Sequence, residues 1–399
     1  MRVFGIICEY NPFHCGHKWQ LDELRRRNGT EECGIVCAMS GEFVQRGDFA
    51  IERAHARAEA AVRGGADLVL ELPLPWSIAS AEGFARGGVG VLNATGIVDT
   101  LVFGSECGET EKLRRAAEAL LRADFPDALR EELAKGLSFA VARESAARAL
   151  IGEDAAVLRE PNDILGVEYC KALLQGDSSI TPLAMERRAV GHNEGAAEGF
   201  ASASYIRALL AGGEDASAFL TAESAAIYAS ECAAGRAPVT MKGAERAMLS
   251  RLRMLEEADF ARYDSGGEGL YRRFYAAVRT AASVDELLGT VKTKRYAYAR
   301  LRRMLLAAYL DIAAAELPQE IPYLRVLACN ERGRMLLRAI KNEGSAPVLT
   351  KSADVRSLSG EAQRLFALSA RACDQYVLAY PELRAAKGGG AWTQGPVIV

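Results

Sequence analysis

The sequence predicts the α/β fold class, with a parallel sheet in the first half of the chain and a mainly α-helical part after it. Two observations predict this arrangement. Short apolar runs alternate with amphipathic stretches over the first 212 residues, which is typical of βαβ units in a parallel sheet. Beyond residue 217 the chain is rich in Ala, Leu, Arg and Glu and poor in β-branched residues, which favours helices.

The first half supplies the elements of a Rossmann-like sheet in order. Apolar runs predict buried strands at residues 3–8, 34–39, 68–72, 100–103 and 180–186. The periodicity between them predicts helices at residues 17–27, 52–63 and 79–92, and a further helix that starts near Ser204. Crossovers between parallel strands are right-handed by default, and ligands bind at the carboxyl ends of such strands.

The pair Gly212-Gly213 marks a probable change of domain. We expect a domain built on the parallel sheet over residues 1–212 and a mainly helical domain over residues 213–399. The last third is expected to continue as helices punctuated by proline and glycine, and the tail from residue 385 to be loosely ordered.

The composition is that of an ordinary globular protein of 399 residues, with 50% hydrophobic and 25% charged residues. The formal net charge of −3 excludes a wholly basic nucleic-acid coat protein but leaves room for a local basic patch. The nine cysteines are scattered and form no CxxC pair, which argues against a disulfide framework and a structural zinc site. Together with the lack of a signal or membrane segment, these features predict a cytoplasmic protein with no membrane partner, and they imply no protein partner.

The most informative motif is EYNPFHCGH at residues 9–17, which directly follows the first strand and precedes the first helix. A helix that begins near His17 would direct backbone N–H groups and its positive dipole end at a bound phosphate. Gly16 would let the phosphate come close, and His14 and His17 would donate hydrogen bonds or carry charge. This pattern fits nucleotidyl transfer, which needs positioned donors rather than a nucleophilic side chain.

Two other interpretations of the two histidines stay open at this point. They could be hydrogen-bonded turn residues, or they could bind a metal. The spacing is not the i, i+4 spacing of an HExxH zinc site, so we expect no metal bound by the protein itself, and Mg²⁺ held with the nucleotide, mainly by its phosphates.

Several longer blocks of the sequence are similar to one family. They are EYNPFHCGH, MSGEFVQRGDFA (39–50), GADLVLELP (65–73), SAEGFARGGV (80–89), LVFGSE (101–106), PNDILGVEY (161–169), SASYIR (202–207), TKRYAYARLRR (293–303) and YLRVLACNERGR (323–334). The chain resembles the tRNA(Met) cytidine acetate ligase family, which has an HxGH nucleotidyltransferase fold and a helical RNA-binding part. The resemblance implies activation of acetate with ATP to acetyl-adenylate, and transfer of the acetyl group to N4 of the wobble cytidine of elongator tRNA(Met), giving N4-acetylcytidine.

The resemblance also implies an ATP site, in which His14 and His17 act on the phosphates as catalytic residues. The implied ATP contacts are Ile7, Cys8, Glu9, Tyr10, Asn11, Pro12, Phe13, His14, Cys15, Gly16, His17, Lys18, Trp19, Gln20, Gly104, Asn162 and Arg187. Arg188 is adjacent, and a one-residue gap would exchange it with Arg187. Residues 185–192 (MERRAVGH) depart from the family pattern, which has an aromatic residue where Gly191 stands.

The polar loop after the second strand should lie at the same edge of the sheet. Ser40 and Arg46 are candidate contacts of acetate or phosphate, and Glu9 or Asp48 could serve a proton or metal role. The sequence does not choose between these two carboxylates.

A basic segment in the second half is the candidate tRNA contact. Residues 242–303 hold fourteen basic and eight acidic residues, and residues 292–303 hold six basic residues and no acidic one. Basic side chains supply most of the non-specific affinity for nucleic acid, and aromatic rings stack on unpaired bases. The candidate tRNA contacts are Lys292, Lys294, Arg295, Tyr296, Arg300, Arg302 and Arg303. The alternative to tRNA binding is a solvent-exposed helix face, on which the aliphatic parts of the arginine side chains pack against neighbouring residues.

Three other functions stay in view. The chain could be an adenylyltransferase of small molecules with the same fold, a tRNA-binding protein without catalysis, or an enzyme of RNA-dependent aminoacylation. The helical, locally basic second half argues against the first, the intact nucleotide motifs argue against the second, and the lack of a KMSKS-like loop argues against the third.

Overall fold

The computed structural model describes residues 1–28, 33–187, 196–197, 200–266, 269–313 and 318–399. The strands are β1 (Arg2–Cys8), β2 (Cys33–Ser40), β3 (Phe43–Val44), β4 (Asp48–Phe49), β5 (Leu68–Leu72), β6 (Thr100–Ser105), β7 (Thr181–Glu186), β8 (Ala196–Ala197), β9 (Phe200–Ala201), β10 (Leu324–Cys329), β11 (Val348–Leu349) and β12 (Val397–Ile398).

The helices of the first half are α1 (Cys15–Asn28), α2 (Ala54–Arg63), α3 (Ala81–Ala94), α4 (Thr110–Leu121), α5 (Phe125–Ala134), α6 (Phe139–Ile151), α7 (Pro161–Gln175) and α8 (Ala203–Gly212). Those of the second half are α9 (Ala222–Ala233), α10 (Glu245–Arg253), α11 (Glu257–Tyr263), α12 (Leu270–Thr280), α13 (Val284–Val291), α14 (Tyr298–Leu310), α15 (Glu331–Glu343), α16 (Gly360–Tyr376) and α17 (Gly390–Thr393). The predicted α/β fold class is confirmed, and the second half is mainly helical.

The central sheet has the strand order β11-β10-β5-β2-β1-β6-β7, and β12 also pairs with β10. Strands β5, β2, β1, β6 and β7 are parallel to their neighbours. They are the five strands that the sequence predicts. Both faces of the sheet are covered, so β2 and β5 are buried along their whole length. Parallel pairing places the carboxyl ends of these strands at one edge.

One prediction about the second half is wrong. Leu324–Cys329 is not helical but forms β10, which pairs antiparallel with β5 and extends the sheet. The tail is not loose either, because Ala328 and Cys329 of β10 pair with Val397 and Ile398 of β12. Strands from both sides of the proposed boundary between residues 212 and 213 therefore share one sheet. The division into two domains at this point stays a prediction.

Candidate functional site

A cavity of about 320 Å³ opens at the carboxyl edge of the parallel strands. The ends of β1, β6 and β7 form its floor, and α1, α7, α8 and the turn between β3 and β4 form its walls. The cavity is lined by thirteen of the residues predicted to contact ATP, namely Ile7, Cys8, Glu9, Tyr10, Asn11, His14, Gly16, His17, Trp19, Gln20, Gly104, Asn162 and Arg187. The candidate residue Arg46 lines it too. The structure thus brings most of the predicted site together, while the roles of these residues stay predictions.

The two histidines of the motif stack on each other with 3.7 Å between ring centroids. The backbone N–H of Gly16 donates to Nδ1 of His14 (3.1 Å), and the backbone N–H of His14 donates to Nδ1 of His17 (3.3 Å). An accepting Nδ1 places the proton of a neutral imidazole on Nε2. The local backbone therefore sets both rings as Nε2–H donors.

Both imidazoles are neutral near pH 7. Burial lowers the pKa of His14 to about 3, with further contributions from the charges of Arg187 and Arg207. Burial also lowers the pKa of His17 well below its usual value, followed by the effects of His14 and Arg187. The positive charge that faces an anion in the free site therefore comes from arginines, and the expectation that the histidines carry charge does not hold for this state.

Gly104, Asn162 and Arg187 meet on the side of the cavity formed by β6 and β7. A Cβ atom on Gly104 would lie 3.1 Å from Cγ of Arg187, so a side chain at this position would crowd the arginine. Nη1 of Arg187 donates to Oδ1 of Asn162 (3.3 Å), and Nδ2 of Asn162 donates to Oε1 of Glu106 (2.5 Å). Glu106 also accepts from the backbone N–H of Asp163 (2.9 Å), which fixes the start of α7. Arg188, the alternative to Arg187, lies outside the described residues.

Five candidate residues do not line the cavity. Phe13 is fully buried and would collide with a Cβ on Gly64, and Lys18 pairs with Asp22 at 2.6 Å on the outer face of α1. Pro12 and Cys15 are turned away from the cavity as well. Ser40 is fully buried at the end of β2, because both faces of this strand are covered, and it does not line the cavity. A contact of Ser40 with acetate or phosphate stays a prediction.

Several cavity residues were not predicted. Arg207 is the most informative, because its Nη1 donates to the backbone oxygen of Asn11 (2.8 Å) and its charge lowers the pKa of His14. Burial lowers the pKa of Arg207 from its usual value. The sequence feature that could have identified Arg207 is the SASYIR block, which covers the start of α8. Gln45, Phe84, Tyr169 and Ser202 also line the cavity; each lies in one of the blocks that resemble the family, but none was singled out within its block.

The turn between β3 and β4 connects the cavity to the basic segment. Gln45 and Arg46 line the cavity from this turn. On its other side, Gly47 has a φ of +75°, and a Cβ there would come within 2.4 Å of the backbone nitrogen of Arg303. Asp48 pairs with Arg302 of α14 at 3.1 Å. The cavity and α14 therefore share one turn as a wall.

The basic segment divides into an exposed part and a packed part. Lys294 and Arg295 are exposed. Tyr296 is only 5% exposed, and the guanidinium of Arg300 covers its ring at 5.1 Å. The ring of Tyr296 is part of the core and is not available for stacking in this structure, whereas the neighbouring Tyr298 is 51% exposed. A contact of Tyr296 with tRNA stays a prediction.

The remaining basic residues of the segment are partly buried. Arg300 lies 3.6 Å from Asp264, and burial, followed by the charge of Arg300, lowers the pKa of Arg303 to about 10. Lys292 is half-buried, with its ammonium group 5.4 Å from the ring centre of Tyr298. Their role in binding tRNA stays a prediction.

No cluster of three or more His, Cys, Asp or Glu side chains placed to hold a metal ion occurs among the described residues. None of the described helices has the length and apolar character needed to cross a membrane.

Residues 1–389 match the model of a family described as HIGH nucleotidyl transferase. The chain is 36% identical to the tRNA(Met) cytidine acetate ligase of Acetivibrio thermocellus, with 100% of both chains covered. It is 37% identical to the protein of the same name from Fervidobacterium nodosum, with 92% of this chain and 88% of the relative covered.

The crystal structure of Thermotoga maritima TmcAL bound with alpha-thio ATP superimposes with a TM-score of 0.93 at 32% identity, covering 100% of this chain and 99% of that one. The apo form of the same protein gives a TM-score of 0.94 at 31% identity, with 100% of both chains covered.

Proposed function

Because the chain belongs to the tRNA(Met) cytidine acetate ligase family, a family of ligases, we propose that it activates acetate with ATP and acetylates elongator tRNA(Met). The acetyl group passes through acetyl-adenylate to N4 of the wobble cytidine and gives N4-acetylcytidine. The observation that carries the proposal is the single cavity next to the N-terminal end of α1 that is lined by Arg187, Arg207 and the two histidines set as Nε2–H donors. The neighbouring TmcAL structure with alpha-thio ATP supports ATP as the nucleotide.

In the first step, a carboxylate oxygen of acetate attacks the α-phosphorus of ATP and pyrophosphate leaves. Negative charge builds on phosphoryl oxygens, and donors that are already in place stabilise it without reorganisation. His14 and His17 supply two neutral donors, and Arg187 and Arg207 supply the charge. Mg²⁺ bound with the nucleotide would be held mainly by phosphate oxygens and would neutralise part of their charge.

In the second step, N4 of cytidine attacks the acetyl carbonyl carbon and AMP leaves. The nucleoside must then reach the same cavity from the outside. The turn between β3 and β4 leads from the cavity to α14, next to the exposed Lys294 and Arg295. We place the tRNA backbone along this basic segment, where lysine and arginine contact phosphates without regard to sequence.

The proposal is tested by incubation of the protein with ATP, labelled acetate and unmodified elongator tRNA(Met), followed by nucleoside analysis. We expect labelled N4-acetylcytidine, and acetate-dependent exchange of pyrophosphate into ATP in the absence of tRNA. Exchange that depends on a cofactor precursor instead of acetate would identify an adenylyltransferase of small molecules. Tight tRNA binding without exchange or acetylation would identify a non-catalytic binding protein.

A further inference from the structure

Three carboxylates are relevant to a proton transfer near the cavity, and they are Glu9, Glu186 and Asp48. Glu9 follows β1 directly and lines the cavity. Its Oε1 accepts a hydrogen bond from the backbone N–H of Gln45 (2.7 Å). Among the described residues no donor is bonded to its Oε2. One oxygen thus fixes the side chain while the other stays available.

The other two carboxylates are less suited to this role. Asp48 does not line the cavity, and both of its oxygens are engaged, since Oδ1 accepts from the backbone N–H of Phe49 (2.9 Å) and Oδ2 from Arg302 (3.1 Å). Glu186 lines the cavity but is exposed at the end of β7, the outermost strand of the sheet. The structure therefore chooses between Glu9 and Asp48, which the sequence does not.

Glu9 lies on the side of the cavity that faces the basic segment. Gln45, which holds it, belongs to the turn between β3 and β4, and this turn contacts α14 through Gly47 and Asp48. A carboxylate at this position, with no donor bonded to its Oε2 among the described residues, can accept a hydrogen bond or a proton. It favours a neutral group with a proton to give, such as the exocyclic amine of cytidine.

The groups that face Glu9 come from four elements. They are Arg57 of α2, Gln45 and Arg46 of the turn, Arg207 of α8 and Tyr169 of α7, while Cys8 of β1, the preceding residue, acts on Tyr169. Burial raises the pKa of Glu9, while the bond from Gln45 and the charges of Arg207, Arg57 and Arg46 oppose the rise. Burial also raises the pKa of Tyr169, so the phenol is neutral at physiological pH. A carboxylate with a raised pKa is a stronger proton acceptor than an exposed one.

We propose that Glu9 is the general base of the acetyl-transfer step, an inference that rests on the proposed function. N4 of cytidine forms a bond to the acetyl carbonyl carbon, and the carbon–oxygen bond to the adenylate phosphate breaks. One N4 proton passes to Oε2 of Glu9, and AMP leaves with the electron pair of the broken bond. No oxidant or further reactant is needed, and the proton returns to solvent when the product departs.

The test separates the two half-reactions. Wild-type and Glu9→Gln proteins are first measured for acetate-dependent exchange of pyrophosphate into ATP. They are then charged with ATP and acetate and mixed with saturating tRNA in a single turnover. Glutamine keeps an oxygen to accept from Gln45 but takes up no proton. We expect the transfer rate to fall by about 10²–10⁴-fold, the usual contribution of a general base, and the exchange rate to fall far less.

The pH profile of transfer gives a readout that a merely structural role would not change. The wild-type transfer rate should decrease toward acid pH as Glu9 takes up a proton. This acid limb of the pH profile should persist in Glu9→Asp at a lower overall rate, and it should be absent from Glu9→Gln. If Glu9→Gln is too unstable to measure, the limb in Glu9→Asp decides the question. The same substitution at Glu111, an exposed carboxylate of α4, controls for the loss of one charge.

Three results would overturn the assignment. They are transfer by Glu9→Gln at the wild-type rate, an equal loss of exchange and transfer, and an acid limb that persists in Glu9→Gln. Loss of transfer in Asp48→Asn alone would assign the role to the rival carboxylate. A wild-type protein that makes no N4-acetylcytidine from acetate would overturn the proposed function itself, and the base with it.

Discussion

The hydrogen bonds to Nδ1 of His14 and His17 come from backbone N–H groups of the same loop. The loop therefore sets the tautomer of both rings without a carboxylate partner, which would have raised their pKa values. Each ring is left with a single N–H that can reach a phosphate. We propose that the pair contributes position and direction, rather than charge, to catalysis.

We expect His17→Ala to reduce acetate-dependent exchange by about 10²–10³-fold, the usual cost of one donor to a developing oxyanion. His17→Gln should retain more activity, because its terminal amide N–H lies near the position of Nε2. Melting temperatures of both variants should stay close to that of the wild type. Equal losses in the two variants, or an unchanged rate in a folded His17→Ala protein, would remove the donor role.

The sequence predicted some residues of the candidate site but not the burial of others. The HxGH histidines, Gly104 and Asn162 were predicted and do line one cavity, because each belongs to a motif with a fixed place after a strand or at a helix start. Ser40 and Tyr296 were chosen for their chemistry, yet both are buried. Their burial depends on elements far away in the chain, which a local motif does not encode.

Glu52 gives a prediction about pH and stability. It is fully buried, both of its oxygens lack a hydrogen-bond partner among the described residues, and burial raises its pKa to about 8. The folded protein thus holds a proton that the unfolded chain releases near pH 4.3. Between these values folding stability falls as pH rises, by up to about 1.4 kcal/mol per pH unit.

Glu52→Gln removes this ionisation, so its melting temperature relative to the wild type should rise from pH 5 to about pH 8 and level off above it. Glu59→Gln, on helix α2 just after Glu52 and paired with Arg63 at 2.9 Å in the wild type, is the control for loss of a charge. Parallel melting curves of Glu52→Gln and wild type across this pH range would contradict the prediction.

Elements were easier to predict than residues. The five parallel strands were each expected within two residues of their observed ends, because a buried parallel strand is a short, uninterrupted apolar run. Strand β10 was missed although Leu324–Cys329 is such a run. Helical sequence surrounds it on both sides, and its partner β5 lies more than 250 residues earlier in the chain.

At the scale of α14 and the residues before it, the exposed and the packed basic side chains should behave differently. We expect Lys294→Ala with Arg295→Ala to spare acetate-dependent exchange and to weaken tRNA acetylation. Removal of two phosphate contacts should also reduce the salt dependence of tRNA binding by roughly two units of slope. Exchange, acetylation and tRNA affinity at several salt concentrations are measured on one preparation.

Arg303→Ala is the matched comparison, because burial lowers the pKa of this arginine and its backbone packs on Gly47. Arg303→Ala should lower the melting temperature, whereas Lys294→Ala with Arg295→Ala should leave it unchanged. A double variant with full acetylation would place the RNA elsewhere, and one with lower stability and both reactions lost would show a structural role.

In the whole molecule, the second half completes the sheet of the first. Strand β10 covers the edge of β5, and Nη1 of Arg325 lies 3.1 Å from Oε2 of the buried Glu71. The hydroxyl of Tyr376 donates to the backbone oxygen of Ala50 (2.9 Å). These contacts tie residues on the two sides of the proposed boundary.

We expect residues 1–212 expressed alone to lack a cooperative unfolding transition. Truncation would expose the apolar edge of β5 and leave Glu71 without Arg325, and a buried charge that has lost its partner is strongly destabilising, at about 3–5 kcal/mol. Thermal melting by circular dichroism, with the full chain as control, measures this. A fragment that melts cooperatively and binds ATP would support two independent domains.

The turn between β3 and β4 has a thermodynamic consequence. It presents Arg46 to the nucleotide cavity and Gly47 and Asp48 to α14, so the two surfaces share one structural element. If RNA on α14 changes the affinity for ATP by some factor, ATP must change the affinity for RNA by the same factor. With such a coupling, the affinity measured for one ligand would report the occupancy of the other surface, and an inhibitor bound in the cavity would change the affinity for RNA without contacting it.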